Sequence, residues 1–583
     1  MTTQLHDRQE GSAGPDERVA AATPSVRVRP PGFRVDVDGV SRRVTARGRR
    51  GITVLDDVSF AVAAGELVAI IGPSGAGKTM VLEAIAGVAP IASGSVRFDG
   101  IDLRANSRKF RGAIGYVPQD DIIHADLPLQ HTLRYAARLR LPSSTNAAAI
   151  DEAVRAAIDS VGLTEQADVR VGSLSGGQRK RASIAVELLT DPRAFFLDEP
   201  TSSLDPAASA QLIAHLRKLA DGSASVVFTT HSIDDLARCD RIVFMARGGR
   251  VGFVGTIDQA LEQFGVSSLP ELYSRLADGN TNTASGPTDT APVLDASTDD
   301  ANRRPVANGF TQWRVLTSRT LETLVRNHLT LAILLASPAL VVGMFAVLFR
   351  PAAFDFRNPS PSSMVMIGFW VVFAAFFFGI TYGLLQICTE YAIVRRERLV
   401  GLRLGAYVAS KVTVLVPFLL VVIVAMLGML RQLNRLPDRP LSTYASISVS
   451  LLLCAVAALG LGLLTSAVVR NVAQATLALP MLCFPAVLFA GAILPVHLMA
   501  KPGAALSVLM PSRWAFEAIG HDLGARWILG HGGSPLGPPL LASFGDAGRA
   551  STGAYWLILT SCALAFLAAT WGVLVRSTGR PTR

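Results

Sequence analysis

An α/β phosphate-binding domain followed by an all-α domain of six transmembrane spans is the fold this 583-residue sequence predicts. Three observations carry that expectation. A glycine-rich loop, Gly72 to Thr79, sits between an apolar run and a helical run. Six stretches of 19 or more residues in the second half carry no charge, and about 20 apolar residues suffice to cross a ~30 Å hydrocarbon core as a helix. Half of the residues are hydrophobic and 17% are charged, against roughly 25% charged in an average soluble protein. With a mean hydropathy of +0.38, the chain is too apolar to be disordered or wholly soluble.

The elements follow in order. Residues 1–32 are polar and Arg-rich and lack an apolar core segment, so they read as a disordered basic arm and not a signal peptide. Contact of this arm with anionic lipid is the sharper alternative. Residues 33–275 alternate short β-branched runs (67–71, 225–230, 241–245) with helical stretches such as 206–219, the pattern of an α/β domain. Residues 276–312 are rich in Ser, Thr, Pro and Asp and read as a flexible linker. Residues 313–328 set Trp313, Val315, Leu316, Leu321, Leu324 and Val325 among Arg314, Arg319 and Arg326, which predicts an amphipathic connecting helix in the membrane interface. The membrane domain is expected at 329–576, with spans at about 329–349, 364–389, 412–430, 441–469, 471–495 and 554–576. Pro480, Pro485 and Pro495 predict that the fifth span is kinked and followed by a short re-entrant piece. The outside stretch at 501–549 reads as a short Gly/Pro-rich loop.

The net charge of +10 suits nucleic acid, anionic lipid or nucleotide phosphate. With the α/β domain inside, twelve Lys and Arg face inward and nine outward, a slight positive-inside bias. The five cysteines are scattered without CxxC spacing, which argues against a disulfide framework or a zinc site.

The nucleotide signal is local and dense. Gly72-Pro73-Ser74-Gly75-Ala76-Gly77-Lys78-Thr79 is the G-x-x-x-x-G-K-[ST] pattern in its strand–loop–helix setting. Its backbone N–H groups and the helix N-terminus suit phosphate oxygens. Lys78 supplies a point charge for the β- and γ-phosphates of ATP, and the Thr79 hydroxyl is a Mg²⁺ ligand. Downstream, an apolar run from 194 to 197 ends in Asp198 and Glu199. Asp198 fits the Mg²⁺ side, and Glu199 fits a general base for the attacking water.

Leu174-Ser175-Gly176-Gly177-Gln178 precedes that run by about 20 residues. LSGGQ between a phosphate loop and a DE-ended strand resembles the signature of ATP-binding-cassette (ABC) proteins. The resemblance implies that Gln119 touches Mg²⁺, that Asp205 lies in the D-loop, and that His231 contacts the γ-phosphate. It also implies that Ser175, Gly176 and Gly177 cap ATP held by a second chain, so a homodimer is expected. The cassette-first order resembles the G-type (White) half-transporters, as do the segments 131–142, 178–181, 390–401, 488–495 and 511–519. By that resemblance 390–401 couples to the cassette. There we expect Glu390 to pair with a basic residue of 313–328 and Glu397 to lie nearer the cassette. Drug-exporting relatives line a slot between spans two and five with aromatic rings, which marks Phe377, Phe378 and Phe484 as candidates beside plain packing. Cassettes usually stack an aromatic ring on adenine near position 44, where Val44 stands here; weaker stacking is expected. Pro118 and Gln178 also differ from many G-type members without casting doubt on the site.

The reading that follows is an ATP-driven exporter of a hydrophobic or lipid-like substrate, in the cell (inner) membrane with its cassette in the cytoplasm. Import and mechanical transmission without cargo are the alternatives. Six spans exclude a soluble cassette protein acting on nucleic acid. The substrate itself is beyond the sequence.

Overall fold

The structure, a computed structural model, describes residues 31–44, 51–107, 109–110, 112–272 and 307–578. Nearly all of the expected arm, and the linker up to residue 306, lie outside them.

Among the described residues, ten strands build the first domain. β1 (Val35–Val44), β2 (Ile52–Val62), β4 (Ser93–Phe98) and β5 (Ile101–Asp102) form an antiparallel sheet in the order β2-β1-β4-β5. β3 (Leu67–Ile71), β6 (Ile114–Val117), β7 (Ala194–Leu197), β8 (Ser225–Thr229), β9 (Arg241–Ala246) and β10 (Arg250–Gly255) form the second, in the order β10-β9-β3-β8-β7-β6. Its strands are parallel except β10. β3, β7 and β8 are buried along their whole length, as befits parallel strands covered on both faces. These three are neighbours, so their carboxyl ends open onto one edge, where ligands of such sheets bind. Among the described residues the domain carries the helices α1 (Lys78–Ile85), α2 (Leu129–Arg140), α3 (Ala147–Ser160), α4 (Gly176–Leu188), α5 (Pro206–Asp221) and α6 (Ile257–Phe264).

The connecting helix α7 spans Gly309–Arg326 and starts before the expected 313. Asn308 explains the early start, since its side chain accepts from the Thr311 N–H at 2.7 Å and caps the helix. Phe310, Leu321 and Val325 lie exposed on one side of this helix, and Val315, Leu316 and Arg319 are buried on the other.

All six expected spans are helical: α8 (His328–Leu348), α9 (Pro361–Leu384), α11 (Leu404–Gln432), α12 (Leu441–Val468), α13 (Val472–Leu488) and α18 (Thr552–Thr578). Among the described residues, α9, α11, α12 and α18 are long and apolar enough to cross a membrane, while α13 and the 334–348 part of α8 are shorter apolar helices. α13 stops after 17 residues and leads into a short 3-10 turn, Val496–Leu498. α9 and α12 approach closely through small residues. A Cβ at Gly379 would lie 2.1 Å from the Ala455 carbonyl oxygen, and one at Gly462 would lie 2.5 Å from that of Ile380.

Two expectations need correction. The third span begins at Leu404, not 412, because Lys411 is buried and paired and so does not interrupt the helix. The outside stretch is not a loop but four helices: α14 (Lys501–Val508), α15 (Pro511–Asp522), α16 (Ala525–His531) and α17 (Gly537–Phe544). Prolines that suggest loop composition stand in the first turns of α14, α15 and α17, where the missing N–H costs nothing. Between α9 and α11 lies α10 (Tyr391–Leu399), a short helix on the cassette side.

Candidate functional site

The loop after β3 turns on glycines. Gly72 has φ 146°, and a Cβ there would lie 2.3 Å from the Met245 carbonyl oxygen on β9. No side chain fits that approach. Lys78 opens α1 and folds back, donating from Nζ to the carbonyls of Gly72 at 2.8 Å and Pro73 at 3.1 Å. Burial lowers its pKa, and the charges of Glu199 and Asp198 oppose that shift. Thr79 Oγ1 donates to Asp198 Oδ1 at 3.1 Å, across 119 residues of sequence. Asp198 is buried, which raises its pKa against hydrogen bonds from Thr229 and Thr79.

Glu199 follows in a left-handed conformation, φ 45°. That turn aims its carboxylate at two groups from other strand ends. His231 Nε2 lies 2.6 Å from Oε1, and Gln119 Nε2 donates to Oε2 at 3.0 Å. Thr229, at the end of β8, ties the site together: its Oγ1 donates to Asp198 Oδ1 at 2.6 Å and accepts from the Glu199 N–H at 2.8 Å. The structure thus brings Lys78, Thr79, Gln119, Asp198, Glu199 and His231 to one sheet edge.

The signature sits at the start of α4. Ser175 caps the helix and forms a reciprocal pair with Gln178: Ser175 Oγ accepts from the Gln178 N–H at 3.3 Å, and Gln178 Oε1 accepts from the Ser175 N–H at 2.9 Å. Leu174 is buried beneath it, and a Cβ at Gly177 would lie 2.5 Å from Leu204 Cδ2. At Gly176 it would meet nothing within 4 Å, so this face of the helix start is open. Asp205 caps α5, accepting from the Ala208 N–H at 2.8 Å, with Pro206 next. Val44 is exposed at the end of β1 and offers no ring for stacking.

Two buried residues in this site escaped the sequence reading. Lys180 Nζ donates to the carbonyls of Gln119 at 2.8 Å, Pro118 at 3.0 Å and Asp198 at 3.3 Å, holding two site loops against α4. Asp235 accepts from Thr201 and Thr230 at 2.7 Å each and from Ser209 at 3.0 Å. It links the turn after Glu199 to the turn before His231. Alternating charges around Asp235 hide it in the sequence, whereas Lys180 stands in the basic run after the signature.

The same α4 meets the membrane helices. Glu187 near its end is buried and takes Arg140 of α2 at 2.8 and 2.9 Å and Arg396 of α10 at 2.7 Å. Arg396 also donates to the Ile122 carbonyl at 2.7 Å and to the Ser183 carbonyl at 3.2 Å. Burial alone would raise the Glu187 pKa, but the two guanidiniums outweigh it and hold the carboxyl at about 2. A lone Glu in an apolar helix run was the available signal.

Here one expected pairing changes partner. Glu397, not Glu390, pairs with the connecting helix, through both nitrogens of Arg319. Glu390 instead accepts from Lys411 at 2.8 Å and Tyr407 at 2.9 Å, both on α11. The reason is geometric: Glu390 precedes α10 at the foot of the bundle, whereas Glu397 sits about two turns further along, opposite Arg319. Arg396 is the residue that enters the cassette. Glu322 of α7 adds a second tie to α2, accepting from Tyr135 at 2.7 Å and lying 2.7 Å from His131 Nδ1.

The aromatic slot does not form within one chain. Phe378 is buried in the bundle beside Tyr382, with ring centroids 6.2 Å apart, because its side of α9 faces the core. Phe377 is half-buried against Phe373, and Phe484 on α13 is 67% exposed.

Comparison with known proteins agrees with this layout. Residues 55–202 match the family model described as ABC transporter, and residues 311–520 the model described as ABC-2 type transporter. The ABC transporter ATP-binding/permease protein Rv1747 of Mycobacterium tuberculosis is 32% identical over 483 residues, which is 80% of this chain and 55% of that protein. ABC transporter G family member 19 of Arabidopsis thaliana is 34% identical over 240 residues, 38% of this chain and 33% of that protein. Nod factor export ATP-binding protein I of Neorhizobium galegae is 35% identical over 203 residues, 35% of this chain and 57% of that protein. The chain therefore spans about half the length of the first of these relatives and about a third of the second.

Proposed function

The chain belongs to the ABC transporters, cassette first and ABC-2 type transporter domain second, and on that premise we propose that it hydrolyses ATP as a homodimer to export a hydrophobic or lipid-like substrate across the cell membrane. The observation that carries this reading is the buried Glu187–Arg396 pair. It joins the helix that begins at the signature to the helix between two membrane spans.

In this reading the N–H groups of the 72–79 loop and Lys78 hold the ATP phosphates. Mg²⁺ fits the hard oxygen donors Thr79 and Asp198, 3.1 Å apart, and the family resemblance would add Gln119, whose amide nitrogen contacts the neighbouring Glu199. Bound there, it would neutralise charge on the β- and γ-phosphates. Glu199 takes the proton of the attacking water, and His231 and Gln119 keep its carboxylate in place. The open face at Ser175 and Gly176 supports a site completed by a second chain, and Asp205 lies on the adjoining turn. Export, as against import, rests on the G-type resemblance and on a relative whose name states export. Phe377 and Phe484 remain candidate cargo contacts only where a second chain closes the space beside them.

Reconstituted vesicles with the cassette facing outward test the proposal. Added ATP should drive a fluorescent amphiphile into the lumen, and Glu199→Gln should abolish this. Loss from the lumen would indicate import, and hydrolysis without movement would indicate mechanical transmission.

A further inference from the structure

The end of the membrane bundle remote from the cassette holds a cavity. α9 leads into α10 on the cassette, so its first turns lie about 36 Å away at the far end. The cavity lies between those turns and α15, α16 and α17, with about 630 Å³ of space including its open mouth. Its walls include Phe354, Met364, Phe516, Leu529, Leu541 and Phe544. Only two charged residues line it, Glu517 and Arg526.

Glu517 is buried and already answered: Arg513 Nε donates to it at 3.0 Å and the Tyr555 hydroxyl at 3.2 Å. Arg526 is different. Its Nη1 donates to the carbonyls of Gly545 at 2.9 Å and Ala547 at 2.6 Å. Among the described residues no carboxylate pairs with it: Asp522 is engaged by Ser446 and Thr552, and Asp546 pairs with Arg549. Nε and Nη2 retain donors in the fork geometry that suits a carboxylate or phosphate.

An apolar cavity with one unpaired guanidinium complements a hydrocarbon body that carries an anionic head. We propose that this cavity binds an anionic amphiphile, its head on Arg526 and its hydrocarbon along Met364, Phe516 and Phe544. The inference deepens the substrate class given above and rests on that reading for the sidedness of the site. Gly520 provides a second handle, because it lines the cavity and a Cβ there meets nothing within 4 Å. A large side chain at 520 would enter the space.

The test is equilibrium binding of radiolabelled oleate and of oleyl alcohol, its uncharged counterpart, to the purified full chain without ATP. Oleate should bind at least about tenfold more tightly than oleyl alcohol, the scale of one charge-assisted hydrogen bond. Arg526→Gln should remove that preference, Arg526→Lys should restore much of it, and Gly520→Phe should weaken both ligands. Retained ATP hydrolysis checks that each variant folds. If Arg526→Gln misfolds by freeing the 545–547 turn, Gly520→Phe carries the test alone. Equal binding of the two ligands by the wild type, or undiminished oleate binding by Gly520→Phe, overturns the proposal. Competition by phosphatidylglycerol identifies a bilayer lipid as the occupant, and its absence a single-chain cargo. Because the assay needs no turnover, binding without transport removes the export reading alone, and transport without this binding removes the site alone.

Discussion

Glu199 combines a left-handed backbone with two fixed partners, and that combination makes it the sharpest residue to change. Glu199→Gln keeps an amide that His231 and Gln119 can still contact, yet it cannot take a proton. ATP binding should persist while steady-state hydrolysis falls by at least about 100-fold, the lower range for a general base. ATP-dependent trapping of dimers and phosphate release measure the two effects separately. Asp235 acts one step away from the reacting groups, through the hydroxyls of Thr201, Thr230 and Ser209. Asp235→Leu strands those hydroxyls and should lower kcat with little change in KM for ATP, whereas Asp235→Asn keeps an acceptor and should recover most of the rate. A matching rise in KM would place Asp235 in nucleotide binding instead. The sequence made the 72–79 loop, Asp198 and Glu199 legible because phosphate chemistry demands fixed residue types at fixed spacing, and His231 legible only through the family resemblance. It left Asp235 and Lys180 unread because their work is done through carbonyls and hydroxyls that follow from the fold.

At the scale of elements, α10 is where charge is buried between two domains. Glu390→Ala would leave Lys411 buried without its carboxylate, a change that typically costs about 3–5 kcal/mol. A fall in thermal stability with near-normal ATP binding is therefore expected, and unchanged stability would remove the pair from its role. Glu187 adds a pH signature. Its pKa is held at about 2 in the folded chain, against roughly 4.3 when unfolded. A depressed pKa contributes stability that is complete above the unfolded value and is lost as pH falls through the folded one. The advantage of wild type over Glu187→Gln should thus be full above about pH 5 and vanish near pH 2, as read by acid denaturation. The family resemblance pointed to 390–401, and a helix at α7 was legible from its residue pattern. Which carboxylate faced which cation was not, because a spacing of seven places Glu390 and Glu397 on one face without saying what each meets. The helices α14 to α17 stayed hidden because proline and glycine mark helix starts and loops alike.

For the whole molecule, the proposed homodimer places a second copy against the open start of α4. Chains carrying Ser175→Arg should bind ATP yet fail to close a productive dimer, and a strictly monomeric preparation should not turn over. Full activity from monomers would contradict the shared site. The four long apolar helices were legible in the sequence because a bilayer core imposes length and polarity on a crossing helix. Their packing, such as the contact of Gly379 with α12, depends on small residues that no hydropathy pattern distinguishes. The central claim is that hydrolysis at the sheet edge moves the membrane helices through α4 and Arg396. Arg396→Ala tests it most directly, since Glu187 keeps Arg140 and the nucleotide site is untouched. ATP hydrolysis and amphiphile movement should be measured on the same vesicles. The variant should retain most of its basal hydrolysis and lose most ATP-driven movement; movement at the wild-type rate would contradict the claim.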